Sequence, residues 1–353
     1  MTPTTALVTG GSGWLGSRLV QALMHGLPDL PELAPSAPRP IRCLVLPGTE
    51  PGDTDSGDEE RRPERIAGDL RDPDAIREFV AGGEGGTLFH CAGVVHPARS
   101  TRELHAVNAE GTRLLLEAAE AAGVRRAIVV SSNSPIGTNP NREHRFDERA
   151  PFDPYMEYGR SKVRMEQAVA EIQSRGRLET VVIRPPWFYG PGQPPRQTLF
   201  FTMIRTGRMP IVGDGDNLRS MAYVDNICQG LLLCERVEAA AGRTYWIADR
   251  RPYTTNEIVD TVERLLSQEF GFAVSGRRLR LPNLVSELAW LADKGLQSLT
   301  LYHQKIHVLS EMNKNIACRI DRAEKELLFD PKIELEEGMR RSIRWCLDQG
   351  LAL

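Results

Sequence analysis

The stretch Val8-Thr9-Gly10-Gly11-Ser12-Gly13-Trp14-Leu15-Gly16 follows a short apolar run, Thr5-Ala6-Leu7-Val8, and leads into a segment with Leu15, Leu19 and Leu23 on one helical face. A buried strand that passes through a glycine turn into a helix is the opening of a βαβ unit. The glycines answer three steric demands: the chain turns sharply, its backbone can approach a pyrophosphate, and the helix packs close to the sheet. Gly10, Gly13 and Gly16 are spaced Gly-x-x-Gly-x-x-Gly rather than in the commoner Gly-x-Gly-x-x-Gly fingerprint. A merely flexible turn is the plain alternative, and the position between a strand and a helix argues against it.

A second stretch, Met156-Glu157-Tyr158-Gly159-Arg160-Ser161-Lys162, places Tyr158 and Lys162 four residues apart. On a helix these share a face, so a phenol and an ammonium can enter one cleft. A nearby cation favours the phenolate and is expected to bring the Tyr158 pKa toward neutrality. Alone, such a pair also fits the surface of any amphipathic helix; the glycine opening gives it chemical meaning.

Strand and helix signals alternate through the first half. Strands are expected at Ile41–Leu46, Thr87–His90, Ala127–Val130 and Thr180–Ile183, with helices at Trp14–Met24, Glu103–Ala122 and Tyr158–Ser174. The fold class is therefore α/β, a doubly wound parallel sheet. The prolines at 28, 31, 35, 38 and 40 predict an exposed irregular connection, and Pro47–Pro63, with Asp53, Asp55, Asp58, Glu59 and Glu60, predicts a mobile one. After Arg184 the alternation gives way to proline-rich turns and a helical C-terminus. A dinucleotide-binding domain over 1–185, with a segment returning around 215–240, and a smaller substrate lobe over 186–353 are expected.

The chain has 353 residues and a net charge of −3, which offers no basic field to a nucleic-acid backbone. Six cysteines without a Cys-x-x-Cys pair or a histidine at metal-ligand spacing read as reduced and mostly buried, with no metal. No long apolar run or signal-peptide pattern occurs, so a cytoplasmic protein without membrane contact is expected.

Together, the glycine spacing and the Tyr/Lys pair resemble the extended branch of the short-chain dehydrogenase/reductase superfamily, which includes the NAD-dependent epimerases and dehydratases. The resemblance continues through Gly68-Asp69-Leu70-Arg71-Asp72, His90-Cys91-Ala92-Gly93, Asn108 in Asn-x-x-Gly-Thr, Val130-Ser131-Ser132-Asn133-Ser134 and Ile183-Arg184-Pro185-Pro186-Trp187-Phe188-Tyr189-Gly190-Pro191-Gly192. Further on, Val212-Gly213-Asp214-Gly215 and Arg219-Ser220-Met221-Ala222-Tyr223-Val224-Asp225-Asn226 are similar to its substrate-lobe signature. It implies that Ser132, Tyr158 and Lys162 are catalytic, with Ser131 and Ser134 as alternatives for the serine. It implies cofactor contacts at Gly10, Gly13, Trp14, Leu15, Gly16, Asp69, Leu70, Cys91, Ala92, Gly93, Asn108, Ser131, Tyr158, Lys162, Pro185 and Trp187. Substrate contacts are implied at Ser134, Trp187 and Arg219.

The implied cofactor is NAD. NADP stays open, because Leu46-Pro47-Gly48 supplies neither an acid nor an arginine at the second strand's tip, while Arg42, Arg61 and Arg62 are near. Asn133 and Ser134 stand where family dehydratases carry an Asp-Glu pair, which argues against water elimination. Pro185, Pro186, Trp187, Phe188 and Tyr189, with Leu199, Phe200, Phe201 and Met203, suit a ring or acyl surface, with core packing the equal alternative for Phe200 and Phe201. The resemblance thus tilts to the 3β-hydroxysteroid dehydrogenase-like group, interconverting an alcohol and a ketone on a small lipophilic substrate. A nucleotide-sugar 4-epimerase with tightly held NAD is the alternative, and a non-catalytic dinucleotide-binding protein a third. A homodimer is expected through the helices from Glu103 and Tyr158, with Leu114, Val163 and Val169 facing the partner or the core.

Overall fold

The computed structural model describes residues 4–49 and 62–353, so most of the acidic Pro47–Pro63 stretch, with Asp53, Asp55, Asp58, Glu59, Glu60 and Arg61, lies outside the described residues. Six strands form in the first half: β1 (Ala6–Thr9), β2 (Ile41–Val45), β3 (Glu64–Ala67), β4 (Thr87–His90), β5 (Arg126–Val130) and β6 (Glu179–Arg184). The parallel sheet runs Thr244–Trp246, β6, β5, β4, β1, β2, β3, which confirms the doubly wound α/β class. Its strands read as unbroken apolar runs because both faces are covered, and successive residues alternate between two cores. Val8, Phe89 and Ile128 enter one core, with Leu19, Ile227 and Leu231. Leu7, Leu88 and Ala127 enter the other, with Phe79, Leu115, Met165 and Val169.

Two elements escape the sequence expectation. Strand β3 is mostly exposed at the sheet edge and shows no buried run. The Pro73–Val80 helix starts at Asp72, whose carboxylate accepts from the amides of Asp74 at 2.9 Å and Ala75 at 3.4 Å; this is a standard cap followed by proline at the first helical position.

Two expectations are corrected, and one alternative is narrowed. The proline-rich connection over 26–40 is not simply exposed: Leu27, Leu30 and Leu33 are buried and anchor it to the core beside the Trp14–His25 helix. Of the two settings expected for Leu114 and Val169, the core is the one observed: Val169 is buried in it and the half-buried Leu114 packs against it. The returning segment also reaches further than 240: the Val224–Arg236 helix is followed by Thr244–Trp246, which pairs with β6. Arg18, on the first helix, grips Asp225 at 2.5 and 2.8 Å and fixes this return.

Beyond β6, Trp187–Tyr189 pairs in parallel with Met221–Tyr223. Buried Asp249 holds the junction, accepting from Tyr189 Oη at 2.7 Å, Tyr223 N at 2.9 Å and Asn226 Nδ2 at 2.9 Å. The helices Asn283–Ser298 and Gln304–Glu311 pack together over the start of the Met156–Ser174 helix, where Gln297 Oε1 accepts from Glu157 N at 3.0 Å.

That Met156–Ser174 helix is clamped to the sheet by Glu166, which takes Arg184 at 3.0 and 2.6 Å and the Ser131 hydroxyl at 2.6 Å, with both charged side chains buried. Removing one partner of such a pair strands the other charge, at a cost of about 3–5 kcal/mol. Glu166→Ala should lower the urea-unfolding free energy by roughly that amount, and a loss below about 1 kcal/mol would show the pair to be dispensable.

Candidate active site

The carboxyl ends of β1 and β4 diverge at the point where the strand order reverses, and the glycine loop lies across that crevice. Gly10 has φ 72°, and a Cβ built there would meet Ala92 Cα and N at 3.0 Å. A Cβ on Gly16 would lie 2.0 Å from Gly10 O. Gly13 N donates to Gly10 O at 2.8 Å, closing the turn just before the helix. The cradle is thus shaped by missing side chains, and its free helix-end amides suit a pyrophosphate. A dinucleotide fits this donor set.

The β4 end is held by a buried relay. Thr9 Oγ1 accepts from Ala92 N at 3.2 Å and meets His90 Nδ1 at 2.7 Å, while His90 Nε2 meets Thr112 Oγ1 at 2.8 Å. Burial pushes the His90 pKa down to about 3, so it is a neutral strut. Cys91 and Ala92 are half-buried beside it, and Gly93 is exposed, with space for a Cβ limited by Asn108 Oδ1 at 3.2 Å and Lys162 Nζ at 3.5 Å. Asn108 sits in a π-helical turn, His105–Gly111. Its amide exchanges two 2.8 Å hydrogen bonds with Val94 and donates to Ser161 Oγ at 3.1 Å, tying the β4 loop to the tyrosine helix.

Other expected cofactor residues are placed less simply. Trp14 lies tilted against Phe188, with centroids 4.9 Å apart, and donates to Pro191 O at 2.6 Å, bridging the glycine loop to the segment after β6. Leu15, Leu70 and Pro185 are buried. The Asp69 carboxylate is taken up by Arg71 at 2.9 and 2.6 Å, which holds it below the usual carboxylate range. Ser131 spends its hydroxyl on Glu166. Arg42 is held by Glu64 at 2.7 Å and by the Phe79 and Ala81 carbonyls, so it is not directed to the β2 tip.

Ser132, Tyr158 and Lys162 converge. Tyr158 lies beside Ser132, whose hydroxyl acts on the phenol; Ser132 is buried and contacts Ser134 Oγ at 3.4 Å. Lys162 Nζ donates to Val130 O at 3.0 Å, and burial brings its pKa down to about 8. The expected depression of Tyr158 is not found: burial pushes its phenol up to about 12, with the Ser132 hydroxyl opposing, because the Lys162 ammonium is turned to the β5 carbonyl.

Of the substrate residues, Ser134 is buried beside Ser132, and Trp187 is half-buried with its ring edge-on to Phe200 at 5.6 Å. Phe200 and Phe201 are buried in the core; Phe188 and Leu199 retain exposed surface. Arg219 is drawn to the Glu311 carbonyl and is desolvated rather than freely presented.

Sequence reasoning missed a second group around Tyr158. The Glu311 and Arg196 charges act on the phenol in opposite senses. His96 hydrogen-bonds Tyr302, and His307 holds buried Asp293 at 2.7 Å while lying 4.0 Å from Glu311. The Asp293 carboxylate raises the His307 pKa against its burial. These residues come from three segments far apart in the chain, around 96, around 196 and over 293–311, and none carries a local motif.

The model of the NAD dependent epimerase/dehydratase family matches residues 6–248. The uncharacterized protein y4nL of Sinorhizobium fredii is 49% identical over 98% of this chain and 95% of its own. The 3beta-hydroxysteroid-dehydrogenase/decarboxylase isoform 1 of Arabidopsis thaliana is 27% identical over 96% of this chain and 78% of its own. Among solved structures, DesIV, the dTDP-glucose 4,6-dehydratase of Streptomyces venezuelae solved with NAD and TYD bound, superposes with a TM-score of 0.75 at 23% identity, covering 98% and 97% of the two chains. A glycine cradle at the switch point, a Ser/Tyr/Lys cluster beside it and a family match over most of the chain lead to one assignment: this chain is an NAD-dependent enzyme of the extended short-chain dehydrogenase/reductase type, a member of the NAD dependent epimerase/dehydratase family.

Proposed function

We propose that this enzyme interconverts an alcohol and a ketone on a small lipophilic or ring substrate. The observation that carries this reading is the Ser132–Tyr158 hydroxyl pair at the switch-point crevice, next to the glycine cradle. NAD, when bound, supplies the hydride acceptor or donor. Tyr158 exchanges a proton with the substrate oxygen, Ser132 donates a hydrogen bond to that oxygen as charge develops, and Lys162 contributes positive charge and orients the cofactor's ribose. Gly10, Gly13 and Gly16 would hold its pyrophosphate. Asn133 and Ser134 leave no carboxylate after Ser132, which supports hydride exchange without elimination. Trp187, Phe188 and Leu199 supply apolar surface for the substrate, and the hydroxysteroid dehydrogenase named for the Arabidopsis relative points the same way. A cytoplasmic setting belongs to this reading. So does a homodimer, for which Ala106, Ala109 and Ala168 line an open groove between the helices carrying Asn108 and Tyr158.

A panel of cyclic and acyl ketones with NADH, followed at the reduced-nicotinamide absorbance, tests the reaction. Tyr158→Phe should lower turnover by roughly 10²–10⁴-fold and Ser132→Ala by roughly 10²-fold, with NAD affinity nearly unchanged. Turnover surviving in Tyr158→Phe would refute the assignment.

The cradle makes a separate prediction. Gly16→Ala forces a methyl group onto Gly10 O, so NAD binding by calorimetry should weaken by roughly tenfold or more. Wild-type affinity in that variant would mean the loop does not hold the pyrophosphate.

The pH profile follows from the two pKa values. With Tyr158 near 12, the phenol is protonated through neutrality, so kcat/KM for ketone reduction should be flat there. It should fall as the pH rises through about 8, where Lys162 loses its charge. Lys162→Met should abolish that limb and leave a low, flat profile; an unchanged limb would assign it to another group.

A further inference from the structure

The Asn283–Ser298 helix buries one side and leaves the other bare. Leu284, Leu288 and Leu291, spaced four and three residues apart on one helical face, are 64%, 56% and 57% exposed. The strip continues through Leu299 and Leu301, 70% and 49% exposed, to Val308 on the adjoining Gln304–Glu311 helix, 45% exposed. Soluble proteins scatter single apolar side chains over their surface; six large ones on two packed helices and their connection form a patch that calls for a partner.

The charges around the patch select the partner. Residues 277–308 contain five Arg/Lys and two Asp/Glu, whereas the whole chain has a net charge of −3; Arg278 is matched by Asp260 and Glu263, which leaves four cations around the patch. Of the two acids, Asp293 is buried and turned inward to His307 and Gln297, and Glu287 is matched by Lys314 at 2.5 Å. Exposed Lys294 lies over the half-buried Trp290 ring at 4.9 Å, and exposed Lys305 stands one turn from Val308. Exposed Arg99 and Arg102 flank Ser100, which bridges to Leu301. A second copy docking here about a two-fold axis would oppose these cations to one another. An anionic lipid surface would receive both the leucines and the cations, with Trp290 at the level of the headgroups.

We propose that the Asn283–Ser298 helix and its neighbour dock this enzyme peripherally on an anionic lipid bilayer. No helix among the described residues is long and apolar enough to cross a membrane, so the contact lies in the interface plane. It revises the expectation of no membrane contact. Tyr302 follows Leu301 directly and belongs to the group around Tyr158, so the docked face adjoins the cleft. Entry of a lipophilic substrate from the bilayer rests on the proposed function; the docking does not.

The test is flotation of the purified full chain with phosphatidylcholine vesicles, with and without phosphatidylglycerol, at low and high salt. The wild type should float with the phosphatidylglycerol vesicles and be released by salt. Replacing Leu284, Leu288 and Leu291 together by Ser should weaken binding by roughly tenfold or more, because three apolar side chains no longer leave water. Lys294→Glu with Lys305→Glu should remove the preference for phosphatidylglycerol without touching the leucines. Thermal melts of each variant should match the wild type, since these side chains are exposed; the wild-type salt titration needs no variant. The proposal is overturned if the wild type stays unbound on every vesicle, or binds neutral and anionic vesicles alike regardless of salt. It is equally overturned if the triple variant binds as the wild type does, or if light scattering shows a wild-type dimer that this variant splits while no vesicle is bound. None of these readouts depends on catalytic turnover, so failure of docking and failure of the hydride-transfer reading are separable.

Discussion

Three consecutive turns of one helix meet the end of one strand, and the site depends on that meeting. Tyr158, Lys162 and Glu166 recur at intervals of four, so they lie along a single face. Tyr158 reaches Ser132, Lys162 reaches the Val130 carbonyl, and Glu166 takes Ser131 and Arg184. The last contact is purely structural, buried and charged. It sets the helix's rotation and depth, and a phenol two turns away inherits that setting. A buried ion pair gives little net stability, but its geometry is demanding, and here the geometry is what the chemistry needs.

The sheet was legible because burial on both faces writes itself as runs such as Ala6-Leu7-Val8 and Ala127-Ile128-Val129-Val130. Strand β3 was not, because an edge strand with one buried side chain among four leaves no such run. The helix after Asp72-Pro73 does carry a signal, a capping aspartate before a proline, though it falls inside the Gly68–Asp72 motif. The Tyr158–Lys162 spacing correctly placed both side chains on one face. It did not reveal that a long lysine chain spends its ammonium on a backbone carbonyl, or that desolvation outweighs a cation held elsewhere.

The substrate side was least legible. His96, Arg196, Tyr302, His307 and Glu311 gather near Tyr158 from three parts of the chain, and periodicity carries no information about such long-range assembly. Arg219 shows the converse hazard. A guanidinium in a familiar sequence setting was drawn to the Glu311 carbonyl, because a desolvated donor takes the nearest acceptor.

The return of Thr244–Trp246 to the sheet has a consequence for how the protein is made. Strand β6 ends at Arg184, yet its outer neighbour is some sixty residues further on. A chain emerging from the ribosome therefore presents β6 with a row of unpaired amides and carbonyls until residue 246 is out. The Arg18–Asp225 pair, which fixes the return, likewise joins the first helix to a segment more than two hundred residues later. Synthesis thus passes through a stage with an adhesive open edge, and the first half of this enzyme is the part most in need of a chaperone's cover.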